Sequence, residues 1–143
     1  MNSVIANLSV DGGAEAIDFY RHALDAEVVR HLDAGGKVMY AELRIGDSLF
    51  TLNDVMPAYD QKAPDPDGPL PVTITVYCDD ADALWQQAVD AGARPVREVN
   101  EEFFGDRVGT LRDPFGHKWA IATHLRDMTS EELEAAMKEP NAT

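Results

Sequence analysis

Residues 103–124 read FFGDRVGTLRDPFGHKWAIATH and predict a β-hairpin. Along the first arm the side chains alternate between two faces, with Val108, Thr110 and Arg112 opposite Arg107, Gly109 and Leu111. The tetrapeptide DPFG at 113–116 predicts a tight turn, because proline fixes φ near the turn value and glycine accepts a positive φ. The apolar run at 117–123 then predicts the second arm.

Two stretches of the chain share one order of predicted elements. Residues 4–55 predict a strand, a helix and three strands, and residues 72–125 repeat that order and end in the hairpin. The helix ending FYRHALDA at 19–26 matches LWQQAVDA at 84–91, which supports a duplication. Between the units, residues 56–71 are rich in proline and aspartate and predict a linker. Thr129 and Glu132 have capping-box spacing, which predicts a C-terminal helix at 129–139.

One βαβββ unit would leave a sheet face uncovered and could not bury enough apolar surface by itself. The repeat therefore predicts a single α+β domain over residues 1–143. Its two units would form a curved mixed sheet with an inner cleft and with the helices outside.

Composition restricts the function classes. The chain has 26 acidic and 12 basic residues and a net charge of −14, so a nucleic-acid partner is not expected. Cys78 is the single cysteine and cannot form an intramolecular disulfide. No stretch has the apolar length of a membrane span or the pattern of a secretion signal, so we expect a cytoplasmic protein without a membrane partner.

Three motifs resemble a known group of proteins. FFGDR at 103–107, DPFGHKW at 113–119 and FYRHALDAE at 19–27 resemble the vicinal oxygen chelate superfamily, and within it the PhnB-like branch. That superfamily includes glyoxalase I, bleomycin-resistance proteins and extradiol dioxygenases. The resemblance covers residues 4–125 and implies that the two units line one small-molecule cleft. It also implies a homodimer, because relatives commonly dimerise.

Strand alternation assigns residues to the two faces of the predicted sheet. Apolar alternates such as Val4, Leu8 and Leu52 would lie under the helices, whereas Val38, Tyr40 and Glu42 would share the cleft face. The predicted ligand-binding residues are Asn7, Tyr40, Thr51, Asn53, Thr73, Thr75, Tyr77, Phe104, Arg107 and His124. The alternative is that these polar residues form only the solvated face of a sheet.

The resemblance also allows a test for a metal cofactor. Catalytic members usually hold a divalent ion with a His on the first strand of a unit and a Glu on the last. Here those positions fall near Ile5, at Thr73, at Ala120, and at Thr51 or Asn53. None of these is a normal metal ligand, so we expect no metal and no other cofactor.

Glu42 is the one catalytic candidate, because a carboxylate in a concave face could act as a general base. Alternatively it forms an ion pair with Arg107 or Arg112, or is simply exposed. Three functions are compatible with these residues. One is a protein that binds a small aromatic or cationic molecule without metal; another is a divergent lyase, isomerase or dioxygenase that uses Glu42 or a non-standard metal site. A third is a fold retained for dimer-based interaction.

Overall fold

Two βαβββ units follow one another in the structure, a computed structural model that describes residues 2–139. The first unit comprises β1 (Asn7–Val10), α1 (Gly13–Ala23), β2 (Glu27–Ala34), β3 (Lys37–Ile45) and β4 (Ser48–Asp54). The second comprises β5 (Thr73–Tyr77), α2 (Ala81–Asp90), β6 (Arg94–Glu101), β7 (Asp106–Arg112) and β8 (Lys118–His124). The chain then forms α3 (Ser130–Met137), which begins with the predicted capping box at Thr129.

Each unit forms a four-stranded mixed sheet. The strand orders are β1-β4-β3-β2 and β5-β8-β7-β6. The first strand of each unit runs parallel to the last, and the other pairs are antiparallel. The predicted α+β architecture, with two βαβββ units and helices outside a curved sheet, is therefore confirmed.

The helices α1 and α2 cover one face of each sheet and contact each other. Gln87 of α2 donates hydrogen bonds to the His22 carbonyl at 2.9 Å and to the Asp25 carboxylate at 3.0 Å. Beneath the helices the core contains buried side chains from both units, including Leu8, Tyr20, Leu43, Leu52, Leu111, Trp119 and Ile121. Because both helices lie on one side, the uncovered faces of the two sheets lie together on the other side. We call these uncovered faces the cleft face.

The edge strands β1 and β5 approach each other along a seam between the sheets. His117, just before β8, places Nε2 2.9 Å from the Ser9 carbonyl of β1. On the helix side of the seam, Phe50 and Trp119 pack edge to face with ring centroids 5.7 Å apart. The two sheets are thus joined by contacts that side chains make across the seam rather than by strand pairing.

The predicted positions of Val4 and Val38 are wrong. Val4 was expected beneath a helix, but β1 begins at Asn7 and the Val4 side chain is 99% exposed. Val38 was expected on the cleft face, but it is buried against α1. The strand register shifts there, since Leu32 pairs with Tyr40 whereas Asp33 pairs with Val38. The extra residue, Met39, reverses the alternation.

The linker predicted at 56–71 contains one short 3₁₀ turn, Pro57–Tyr59. The rest of that segment has no regular secondary structure and crosses from the end of β4 to the start of β5. Within residues 2–139, no helix has the length and apolar character needed to cross a membrane.

Candidate functional site

A chain of amide and hydroxyl groups crosses the cleft face of the first sheet. Thr51 donates its hydroxyl proton to Asn7 Oδ1 at 2.7 Å, and Asn7 Nδ2 donates to Asn53 Oδ1 at 2.8 Å. Asn53 Nδ2 in turn donates to Gln61 Oε1 of the linker at 2.6 Å. Asn53 is buried and Asn7 is exposed, so the network runs from the solvent into the protein. The network fixes three of the predicted ligand-binding residues in one orientation.

Tyr40 and Glu42 lie next to this network on β3. The Tyr40 hydroxyl donates to Glu42 Oε2 at 3.0 Å, and this bond raises the pKa of Tyr40. Glu42 pairs in register with Thr51 on one side and Arg30 on the other. The phenol and the carboxylate therefore form one half-buried donor–acceptor pair on the cleft face.

The ion pairs suggested for Glu42 do not form. Arg107 instead makes a two-point contact with Asp82 at the start of α2, with N–O distances of 2.7 and 2.9 Å. Arg112 donates its guanidinium hydrogens to carbonyl oxygens. Arg107 points to the helix side, because it alternates with Asp106 along β7. The structure thus places Arg107 on the helix side of β7 rather than on the predicted cleft face.

The second sheet carries a separate cluster on its cleft face. Asp106 is buried and accepts from the Tyr77 hydroxyl at 2.7 Å, and its other oxygen lies 2.7 Å from His124 Nδ1. His124 Nε2 lies 2.6 Å from Asp127 in the segment after β8. The hydrogen bonds to Asp106 and then to Asp127 raise the pKa of His124. Each imidazole nitrogen has a carboxylate partner, so His124 links Asp106 to Asp127.

The remaining predicted residues are exposed. Thr73 and Thr75 pair with Lys118 and Ala120 across the second sheet. Phe104 packs edge to face on Phe103, with ring centroids 5.3 Å apart. Neither threonine nor Phe104 joins one of the two polar clusters.

Two cavities lie along the β1–β5 seam. The first has a volume of about 530 Å³ and includes Thr75 and Tyr77 in its lining. The second has about 600 Å³, includes Asn7, and is roofed by the linker. Sequence reasoning missed its lysines, Lys62 and Lys118, because no local pattern shows that a residue of the linker and the first residue of β8 line one cavity.

The fold, with its two units and closing hairpin, agrees with that of a known protein family. The model of the Glyoxalase/Bleomycin resistance protein/Dioxygenase superfamily matches residues 3–121. The chain belongs to this superfamily. An uncharacterized protein of Mycobacterium bovis is 40% identical over 135 residues, which cover 92% of this chain and 89% of that protein.

Solved structures support the superfamily fold. An Arabidopsis thaliana gene product has a TM-score of 0.69 and 30% identity, covering 85% of this chain and 98% of that one. A glyoxalase-related enzyme from Fulvimarina pelagi has a TM-score of 0.68 and 17% identity, covering 87% and 89%. The second likeness establishes the fold alone.

The positions at which the superfamily resemblance implies metal ligands do not fit a divalent ion. Ile5 precedes β1 and is apolar, Ala120 has no donor atom, and Thr73 is a poor ligand. Thr51 and Asn53 are held in the hydrogen-bond network of the first sheet. Among residues 2–139, no group of three or more His, Cys, Asp or Glu side chains is arranged to hold a metal ion.

Proposed function

We propose that this chain binds a small organic molecule on its cleft face without the divalent metal typical of catalytic superfamily members, as a protein of the PhnB-like branch. The supporting observation is the network of Asn7, Thr51 and Asn53. It fills positions of the first and last strands of the first unit, where the resemblance implies metal ligands. Amide and hydroxyl groups held in this way bind neutral or polar ligand groups rather than a divalent ion.

The aromatic and acidic groups of the cleft face suit an aromatic or cationic ligand. The hydroxyl of Tyr40 donates to the Glu42 carboxylate, and the hydroxyl of Tyr77 donates to the Asp106 carboxylate. Each aromatic ring therefore has an acidic group beside it. A cation over such a ring is attracted both by the ring face and by the carboxylate. The net charge of −14 adds a long-range field that favours the approach of cations.

The test is native mass spectrometry of freshly purified protein, followed by titration with the captured molecule or with a panel of aromatic amines. We expect metal-free protein whose melting temperature rises with ligand. Glu42→Gln should weaken binding about tenfold by removing a charged acceptor. Glu134→Gln removes the same charge from exposed α3 and should leave binding unchanged. Equal effects of the two variants would contradict the proposal.

An enzymatic role is the second candidate, because Glu42 and Tyr40 form a hydrogen-bonded acid and phenol that could move a proton. It would make the chain a divergent lyase, isomerase or dioxygenase with a non-standard site. Elemental analysis together with turnover assays of wild-type and Glu42→Gln protein distinguishes it. Stoichiometric metal, or turnover that Glu42→Gln abolishes, would favour the enzyme over the binding protein.

We further propose a cytoplasmic homodimer. Strand β2 is exposed along its whole length and presents Val28, Val29 and Leu32 to solvent. Apolar groups on an open edge strand favour association with another copy. Light scattering should give twice the monomer mass, and Leu32→Glu should shift it toward the monomer. Fractionation of host cells would test the location.

A further inference from the structure

The cavity beneath the linker has a mostly apolar wall. It lies where β1 and β5 meet, and its volume of about 600 Å³ falls within the range of about 300–1,000 Å³ typical of small-molecule sites. Its apolar lining residues come from both strands and from the linker, and they are Ala6, Leu8, Ala63, Pro64, Pro69, Leu70, Pro71, Val72 and Ile74. Such a wall suits the hydrocarbon part of a ligand.

Both sheets hold the roof of this cavity in place. At one end Gln61 accepts a hydrogen bond from Asn53 at 2.6 Å. At the other end Arg112 donates to the Asp65 and Gly68 carbonyls at 2.8 and 2.7 Å. Arg94 adds a bond to the Pro66 carbonyl at 2.8 Å. Because the linker between these anchors is rich in proline, few conformations compete with the roof, and the cavity is preformed.

The ionisable side chains that line the cavity are two lysines, a histidine and one aspartate. Lys62 comes from the linker and Lys118 from the start of β8. Among residues 2–139, no carboxylate lies within 4.0 Å of either ammonium group. Asp65 Oδ1 instead accepts the Asp67 amide at 3.0 Å. His117 is turned to the Ser9 carbonyl.

Arg112 makes this end of the seam more positive. It neighbours Lys118 in the strand register, and its guanidinium donates to the carbonyl oxygens of Asp65, Gly68 and Gly116. Three cations thus gather at one place on a chain whose net charge is −14. Unbalanced cations beside an apolar wall match an anion that carries a hydrocarbon body.

We propose that the cavity beneath the linker is a second ligand site, distinct from the Tyr40–Glu42 and Tyr77–Asp106 pairs, which binds an organic carboxylate with an apolar body. Lys118 and Lys62 donate charge-assisted hydrogen bonds to the carboxylate. The hydrocarbon part lies against Ile74, Leu8 and the linker prolines. Lys118 makes the larger contribution, because it is half-buried whereas Lys62 is exposed.

The experiment is isothermal titration of the full chain with octanoate and, separately, with the uncharged octanamide. Octanoate should bind more tightly than octanamide. Lys118→Gln should weaken octanoate about tenfold and Lys62→Gln about threefold, while octanamide affinity stays unchanged. Lys138→Gln removes a charge from the end of α3 and should leave octanoate affinity as in the wild type.

A second variant tests the cavity itself. Ala63→Trp places a large side chain among the lining residues and should abolish binding of both compounds while the melting temperature shows that the protein remains folded. Three results would each overturn the proposal: no octanoate binding to the wild type, equal affinities for octanoate and octanamide, or unchanged octanoate affinity in the Lys62→Gln, Lys118→Gln double variant. Acetate bound as tightly as octanoate would also overturn it, because the apolar wall would then contribute nothing.

Discussion

The hydroxyl of Tyr20 in α1 donates a hydrogen bond to the carboxylate of Asp113 in the turn between β7 and β8. Asp113 is buried and also accepts from Trp119 Nε1 at 2.8 Å and from the amides of Phe115 and His117 at 2.9 and 3.0 Å. One carboxylate therefore fixes the DPFG turn and ties it to the first unit. Burial, followed by the nearby Asp113, raises the pKa of Tyr20, which stays a neutral donor.

Asp113→Asn should destabilise the fold by about 2–3 kcal/mol, because an amide nitrogen replaces one of two acceptor oxygens and leaves a buried donor unpaired. Tyr20→Phe should cost about 1–2 kcal/mol, since it removes the donor itself. Both are measured by urea denaturation. Asp67→Asn removes an exposed partner of Arg94 and should cost less than about 0.5 kcal/mol. If Asp113→Asn lowers the free energy of unfolding no more than Asp67→Asn does, the Asp113 carboxylate does not stabilise the turn.

Asp54 anchors the start of α1 from β4. Its carboxylate accepts from the amides of Gly12 and Gly13 at 3.0 and 2.9 Å and from Val38 at 2.8 Å. Asp54→Ala should cost about 1–3 kcal/mol at neutral pH, because it leaves these amides without an acceptor. Urea denaturation measures the loss.

The contribution of Asp54 should depend on pH. Burial alone would raise the pKa of Asp54, but the amides of Val38, Gly13 and Gly12 together bring it below 3.8. Because the folded pKa is lowered, the stabilisation is present above 3.8 and is lost as the pH falls through the folded value. The difference between wild type and Asp54→Ala should shrink in that acid range. A constant difference across it would show that the charge of Asp54 is irrelevant.

His124 should stabilise the fold mainly at low pH. Its pKa is raised above 6.5 by the bonds to Asp106 and then to Asp127, so its stabilisation is complete below 6.5 and disappears as the pH rises through the folded pKa. Melting curves of wild type and His124→Gln should therefore converge in the alkaline range. In an NMR titration, Asp127→Asn should lower the pKa of His124. An equal difference in melting temperature between wild type and His124→Gln at all pH values would contradict a pH-dependent contribution of His124.

Gly105 permits the chain after β8 to cross closely over the FFGDR segment. Its φ is +93°, and an added Cβ would lie 2.5 Å from the Arg126 carbonyl oxygen. Gly105→Ala should therefore cost about 2–4 kcal/mol in unfolding experiments, from backbone strain together with displacement of residue 126. Gly36→Ala is the matched control, because φ is +76° with nothing within 4 Å. Its cost should be about 1 kcal/mol from strain alone.

Features that neighbouring residues determine were predictable from the sequence, and features that depend on distant contacts were not. Alternation and turn residues predicted the closing hairpin within residues 103–124, and the capping box predicted the start of α3 at Thr129. These features depend on neighbouring residues. Alternation failed at Val38, because a bulge at Met39 depends on the pairing of β3 with β2. It likewise did not show that Arg107 would lie beside Asp82.

The sequence by itself determined the duplicated α+β fold, the closing hairpin and the absence of normal metal ligands at the expected positions, since periodicity, turn chemistry and residue type are properties of short segments. Only the tertiary structure decided which polar groups meet. Tyr77 reaches Asp106, and Lys62 reaches the same cavity as Lys118, through contacts between segments far apart in the chain. The physical reason is that hydrogen bonds and cavities are set by the packing of whole sheets and the path of the linker, which no local pattern encodes.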